Sequence, residues 1–115
     1  MAFKIESSLL DACALAILSR GDTDGYEITQ KMKSAISISE STLYPVLRRL
    51  QKENFCRTYD QPHHGRNRRY YAITEKGLSK LENYRQQWYE YRTSIEQLLE
   101  TAQMPVLTME GGTEE

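Results

Sequence analysis

Leu10, Cys13, Ala14, Ile17 and Leu18 recur at intervals of three and four, which predicts a helix over about residues 8–19 with one apolar face. Leu9 and Leu15 add apolar side chains elsewhere on it, so burial on more than one side is expected. Gly21 follows as a stop signal. A second helix is predicted after Asp24, an N-cap residue with Glu27 three positions on in the capping-box place. Ile28, Met32, Ala35 and Ile36 carry its helical period, and residues 37–40 form a polar break around Ile38. The third helix begins near Ser39, with Glu40 favourable in its first turn. Its inward stripe is Leu43, Val46, Leu47 and Leu50. Ser41, Tyr44, Pro45, Arg48 and Lys52 fall on the opposite stripe, with Arg49 beside them. Pro45 removes one helical hydrogen bond, but early in the helix, where the cost is smaller than at its middle. Asn54 suits a left-handed position after the last turn.

Two β-prone runs come next, about residues 55–61 and 68–73, separated by Pro62-His63-His64-Gly65-Arg66-Asn67. Turn residues between such runs predict a hairpin with a longer loop and a basic tip. Tyr70 and Tyr71 point to opposite faces of their strand, so one of them is expected in the core. Thr74 then caps a long helix reaching about Glu100. Leu81, Tyr84, Trp88, Tyr91, Ile95 and Leu98 are spaced as a heptad seam. At ~1.5 Å per residue the helix is about 40 Å long, more than the preceding core can cover, so a partner surface is expected for the seam. The expected division is residues 1–73 as one unit, 74–100 as a dimerisation helix, and 101–115 as a mobile acidic tail.

The chain has 115 residues, with 39% hydrophobic and 27% charged residues, a globular rather than disordered or fibrous balance, and its formal net charge of −1, taken alone, argues against a polyanion binder. Position changes that reading. Residues 31–69 hold nine basic side chains (Lys31, Lys33, Arg48, Arg49, Lys52, Arg57, Arg66, Arg68, Arg69) against three acidic ones (Glu40, Glu53, Asp60), a net of +6. The remainder is therefore −7. A basic middle in an acidic chain suggests a face built for an anion, with a solvated charged surface as the alternative. The two cysteines, Cys13 and Cys56, lack metal-ligand spacing and suit buried thiols in a reducing compartment. The longest apolar stretch is too short to span a bilayer, which points to the cytoplasm and no membrane partner.

Three short helices, a basic hairpin and a long helix describe a mainly α chain with a small β-hairpin, a winged helix-turn-helix plus a long C-terminal dimerisation helix. In that arrangement the third helix enters the DNA major groove. Arg48, Arg49 and Lys52 can neutralise phosphates, and an arginine can also pair with guanine. Ser41 and Thr42 can bond phosphate oxygens near the helix N-terminus, and Tyr44 offers a ring and a hydroxyl to the groove. Arg66, Arg68 and Arg69 would grip the flanking backbone. His64 sits with His63 in the loop, as a DNA neighbour rather than a metal ligand.

Thr42-Leu43-Tyr44-Pro45-Val46-Leu47-Arg48-Arg49-Leu50 resembles the signature of the PadR family of bacterial transcriptional regulators. Gly25-Tyr26-Glu27-Ile28 resembles the family's opening of the second helix, and residues 65–77 resemble its wing and the turn into the last helix. Asn54 departs from the glycine of many members, but asparagine reaches the same conformation. The resemblance implies a homodimeric repressor on an inverted-repeat operator of double-stranded DNA, nucleoid-associated when bound. It also implies pairing through the long helix with the partner's first helix alongside. The expected dimer residues are Leu10, Ile17, Leu81, Tyr84, Trp88, Tyr91, Ile95 and Leu98. Some small members stack a flat aromatic ligand on a tryptophan of this helix, which makes Trp88, with Tyr84 and Tyr91, a candidate site for a planar aromatic effector. The alternative is that Trp88 is plain dimer packing.

A rival reading is a winged-helix module that binds protein and no DNA. No paired carboxylates, phosphate-binding glycine loop or Cys/His ligand cluster points to an enzyme, a cofactor or a metal.

Overall fold

The computed structural model describes residues 3–105, so most of the expected acidic tail lies outside the described residues. The elements are α1 (Ser7–Leu18), β1 (Thr23–Asp24), α2 (Gly25–Ala35), α3 (Glu40–Lys52), β2 (Cys56–His63), β3 (Arg66–Ile73) and α4 (Glu75–Glu100).

The helix boundaries follow local chemistry. Asp24 Oδ1 accepts the Glu27 N–H at 2.8 Å and starts α2. At the end of α3, Asn54 takes φ 64°, the Phe55 N–H reaches the Leu50 carbonyl, and the Asn54 N–H reaches that of Gln51. This is the paired closure of a left-handed helix stop. Thr74 Oγ1 accepts the Gly77 N–H at 3.0 Å and donates to the Asn54 carbonyl at 2.7 Å, so one hydroxyl caps α4 and ties it to the end of α3. Gly77 is needed for the same close approach. A Cβ there would overlap the Phe55 carbonyl and lie 2.8 Å from Ile73 Cγ1.

The core joins Leu10, Ala14, Leu15 and Leu18 of α1 to Ile28 and Met32 of α2, Leu43, Val46, Leu47 and Leu50 of α3, Cys56 of β2 and Leu81 of α4. α1 packs on α2, α3 and α4, which accounts for its apolar character on several faces. That finding corrects two expected dimer positions. Leu10 and Leu81 are only 3% and 8% exposed within one chain, because the first turns of α4 close over α1 intramolecularly. Beyond Tyr84 the helix leaves the core. The described residues measure 68 × 30 × 21 Å, with a radius of gyration of 19.2 Å. A compact chain of this length would have about 13 Å.

The sheet has three antiparallel strands in the order β1-β3-β2. β1 was not expected. It is two residues long and has no alternation to detect, and its pairing of Thr23 with Tyr71 and Asp24 with Tyr70 exists only once the chain has folded back. The hairpin loop is also tighter than expected. His63 pairs with Arg66, leaving a two-residue turn with φ 52° at His64 and 78° at Gly65. Two positive φ values give the primed turn whose twist matches the strands. Both tyrosines are half-buried: Tyr71 packs against the core, while Tyr70 stacks on Tyr59 across the strands at 5.7 Å.

Candidate nucleic-acid interface

The amphipathic period of α3 buries Leu43, Val46, Leu47 and Leu50 and leaves Ser41, Thr42, Tyr44, Pro45, Arg48, Gln51 and Lys52 exposed. Tyr44 keeps 50% of its surface in solvent. At the N-terminus, the Ser39 hydroxyl lies 3.0 Å from that of Ser41 and 2.9 Å from that of Thr42. The first turn thus presents a cluster of hydroxyls beside its free N–H groups.

Arg49 has a different setting. Its Nε donates to Asp11 Oδ2 at 3.1 Å and its Nη2 donates to Asp11 Oδ1, so the guanidinium grips a buried carboxylate on α1. The hydrogen bond to Asp11 raises the Arg49 pKa further. The two adjacent arginines of α3 are therefore divided: Arg48 projects outward, and Arg49 holds the helix to the core. A helical step of about 100° per residue makes that division possible.

The two-residue turn sets which wing side chains share a face. Thr58, Asp60, Asn67, Arg69 and Tyr71 alternate onto one face. Arg57, Tyr59, Gln61, His63, Arg66, Arg68 and Tyr70 alternate onto the other. The first face adjoins α3. Gln51 Nε2 donates to Thr58 Oγ1 at 3.4 Å, and the Tyr71 ring packs beside Gly25 and Leu47. Burial pushes the Tyr71 phenol up, while Arg69 and Arg48 both lie near enough to act against that rise. Arg69 shares this face with Tyr71, and Arg48 is exposed on the neighbouring helix. Arg69 also faces Asp60 at 3.6 Å, an exposed pair that is readily exchanged.

On the second face Arg68 Nη1 donates to Asp24 Oδ2 at 2.8 Å. Burial pushes the Asp24 carboxyl up, but the Glu27 N–H and the Arg68 guanidinium outweigh it and hold the group below its ordinary value. One aspartate thus caps α2, sits in β1 and anchors the wing. Arg66 and His64 stand at the exposed tip, with the His64 ring edge-on to His63 at 4.3 Å. Among the described residues, Arg48, Lys52 and Arg66 form no ion pair. Arg57, which the sequence reading did not single out, lies 5.6 Å over the Tyr59 ring. The strand alternation could have placed it, given the correct turn length.

The family model described as the transcriptional regulator PadR-like family matches residues 14–83, from the second half of α1 through the first turns of α4. The chain belongs to this family. Among solved structures, a protein from Streptococcus mutans UA159 is 37% identical, with 91% of this chain and 99% of that chain covered and a TM-score of 0.82. A PadR-like transcriptional regulator from Bacillus cereus is 35% identical, with 82% and 94% covered and a TM-score of 0.75. An uncharacterized protein from Lysinibacillus sphaericus is 32% identical over 96 residues, 79% of this chain and 88% of that protein.

As a PadR-like regulator, the chain carries a long helix whose outer half is bare. Trp88 is 42% exposed, and Tyr91, Ile95 and Leu98 are exposed as well. Trp88 and Tyr91 lie 6.4 Å apart with their planes inclined at 43°. Tyr84, one turn earlier, is half-buried against the core, as is Ile17 on α1. No helix among the described residues is long and apolar enough to cross a membrane.

Proposed function

We propose that this PadR-like regulator is a repressor that binds double-stranded DNA as a homodimer on an inverted-repeat operator. The observation that carries the reading is the outward stripe of α3, where Ser41, Thr42, Tyr44, Arg48 and Lys52 stand exposed next to the wing face that carries Arg69. The helix supplies base-edge contacts through Tyr44 and Arg48, and the hydroxyls and Lys52 hold flanking phosphates. The wing reaches the neighbouring backbone with Arg66, Arg69 and His64. Arg49 and Arg68 support the surface from behind through their aspartates. Dimerisation uses the bare seam of Trp88, Tyr91, Ile95 and Leu98, with Tyr84 and Ile17 at its edge. Two-fold pairing then presents two reading helices to two half-sites.

A mobility-shift series with Arg48→Ala and Arg66→Ala over a range of salt concentrations tests the reading. Each phosphate contact contributes about −0.9 to the slope of log K against log salt. Unchanged affinity in both variants would count against α3 and the wing as the reading surfaces, and no binding of random duplex DNA at low salt would favour a protein-interaction module instead.

The exposed Trp88–Tyr91 pair favours one addition: a planar aromatic effector stacks there and weakens operator binding by changing the separation of the two reading helices. Quenching of Trp88 fluorescence across a panel of planar aromatic compounds tests it, and a flat response leaves Trp88 as dimer packing.

A further inference from the structure

The two histidines of the chain are adjacent, and both stand at the tip of the wing. His63 ends β2 and pairs with Arg66, and His64 opens the two-residue turn. His64 is exposed and His63 half-buried, with the rings edge-on to each other. His64 holds φ 52°, a left-handed position that Asn, Asp or Gly fills most readily in such a turn. The turn itself therefore has no need of an imidazole.

The charges around the pair are unbalanced. His63 shares its face of the hairpin with Arg66, opposite it, and with Arg68. Arg57, Tyr59 and Tyr70 lie further along that face, and Asp60 and Arg69 lie on the other one. Asp24 is the acid that approaches from β1. After burial, the Glu27 N–H and Arg68, His63 is the remaining group whose charge acts on its carboxyl. Asp24 is already committed to the Glu27 N–H and to the Arg68 guanidinium. Among the described residues, neither histidine forms an ion pair. An anion for the pair has to come from outside the chain.

We propose that His63 and His64 are a proton-operated grip on the DNA backbone: the pair takes up a proton from solvent as the wing meets a phosphate, so affinity for DNA rises as pH falls. This inference rests on the DNA-binding reading above. A neutral imidazole offers a phosphate one N–H, whereas imidazolium offers two and a positive charge. A phosphate facing the pair favours the charged form, so the bound state holds more protons than the free one. The gain is complete at acid pH and is lost as pH rises through the range, about 5 to 8, in which imidazoles change charge. Arg66 beside the pair stays charged throughout, so it can grip a phosphate but cannot respond to pH. The thiols do not compete for this role, because burial pushes both up, Cys56 to about 11.

The experiment compares the full parent chain with His64→Asn, with the double variant His63→Gln/His64→Asn, and with Arg48→Ala. Asn suits the left-handed turn position, and thermal melts confirm folding. Each is titrated with a labelled random-sequence duplex at one low ionic strength, at about pH 6 and about pH 8, on either side of neutrality. The parent is expected to bind more tightly at the lower pH, with a limit of about tenfold per pH unit for each linked proton. His64→Asn should reduce that ratio and the double variant abolish it. Arg48→Ala should weaken binding at both pH values and keep the ratio. Calorimetry in two buffers of different ionisation enthalpy counts the protons directly: uptake in the parent, none in the double variant. A parent whose affinity ignores pH, or a double variant that keeps the parent's ratio, would overturn the inference and leave the DNA-binding reading standing. Absence of duplex binding by the parent at both pH values would remove that reading as well.

Discussion

Arg49 on the reading helix is clamped by both arms of its guanidinium to Asp11, a buried carboxylate on α1, while its neighbour Arg48 reaches into solvent. Two adjacent arginines thus divide stability from recognition. Arg49→Ala and Asp11→Ala should each lower the melting temperature, at a cost of about 1.5–3 kcal/mol for a charged hydrogen-bonded pair. Arg48→Ala should leave melting unchanged and lower DNA affinity. Parallel thermal melts and DNA titrations of the three variants check this division. Equal effects on both readouts from Arg48 and Arg49 would contradict it.

Asp24 gives the fold an acid-sensitive joint. Its carboxyl is held below the ordinary value of 3.8, so the native state binds its proton later than the unfolded chain does. The stabilisation is complete above that value and is lost as pH falls through the lowered one. Asp24→Asn keeps a capping oxygen but loses the ion pair with Arg68. Melting temperature recorded from about pH 2 to pH 7 should show a lower plateau and a shallower acid limb for the variant. Identical acid limbs would show that ionisation of Asp24 contributes nothing to the acid sensitivity.

Gly77 is set by packing. A Cβ at this position would strike the Phe55 carbonyl, which is backbone and cannot swing away. Gly77→Ala should cost about 1–3 kcal/mol, as overpacking does, despite the higher helix propensity of alanine. Chemical denaturation is the direct measurement, and an unchanged or raised midpoint would refute the close approach.

The bare seam of α4 governs assembly in the proposed reading. Ile95→Asp and Trp88→Asp alter side chains exposed in the single chain, so the fold should survive and the dimer should dissociate. Sedimentation of both variants beside the parent chain resolves the two states. A parent chain that sediments as a monomer at every concentration would defeat the dimer itself.

Much of this arrangement was legible in the amino acids alone. The inward stripe of α3, the Asp24 cap, the left-handed Asn54 and the long seam are local patterns, and local sterics and periodicity determine them. The basic cluster inside an acidic chain pointed to an anion-binding face, and the motif around Tyr44 and Pro45 pointed to the family. Other features depended on chain segments meeting in space. β1 exists because Asp24 pairs with Tyr70, forty-six residues away in sequence. Leu10 and Leu81 became core because α4 folds back on α1 before it projects. Arg49 and Arg68 look like their exposed neighbours in the sequence, and only the position of Asp11 and Asp24 beside them turned them inward. Periodicity states which way a side chain points along its own element. The group that it meets there is decided by packing between elements, which a one-dimensional pattern does not contain.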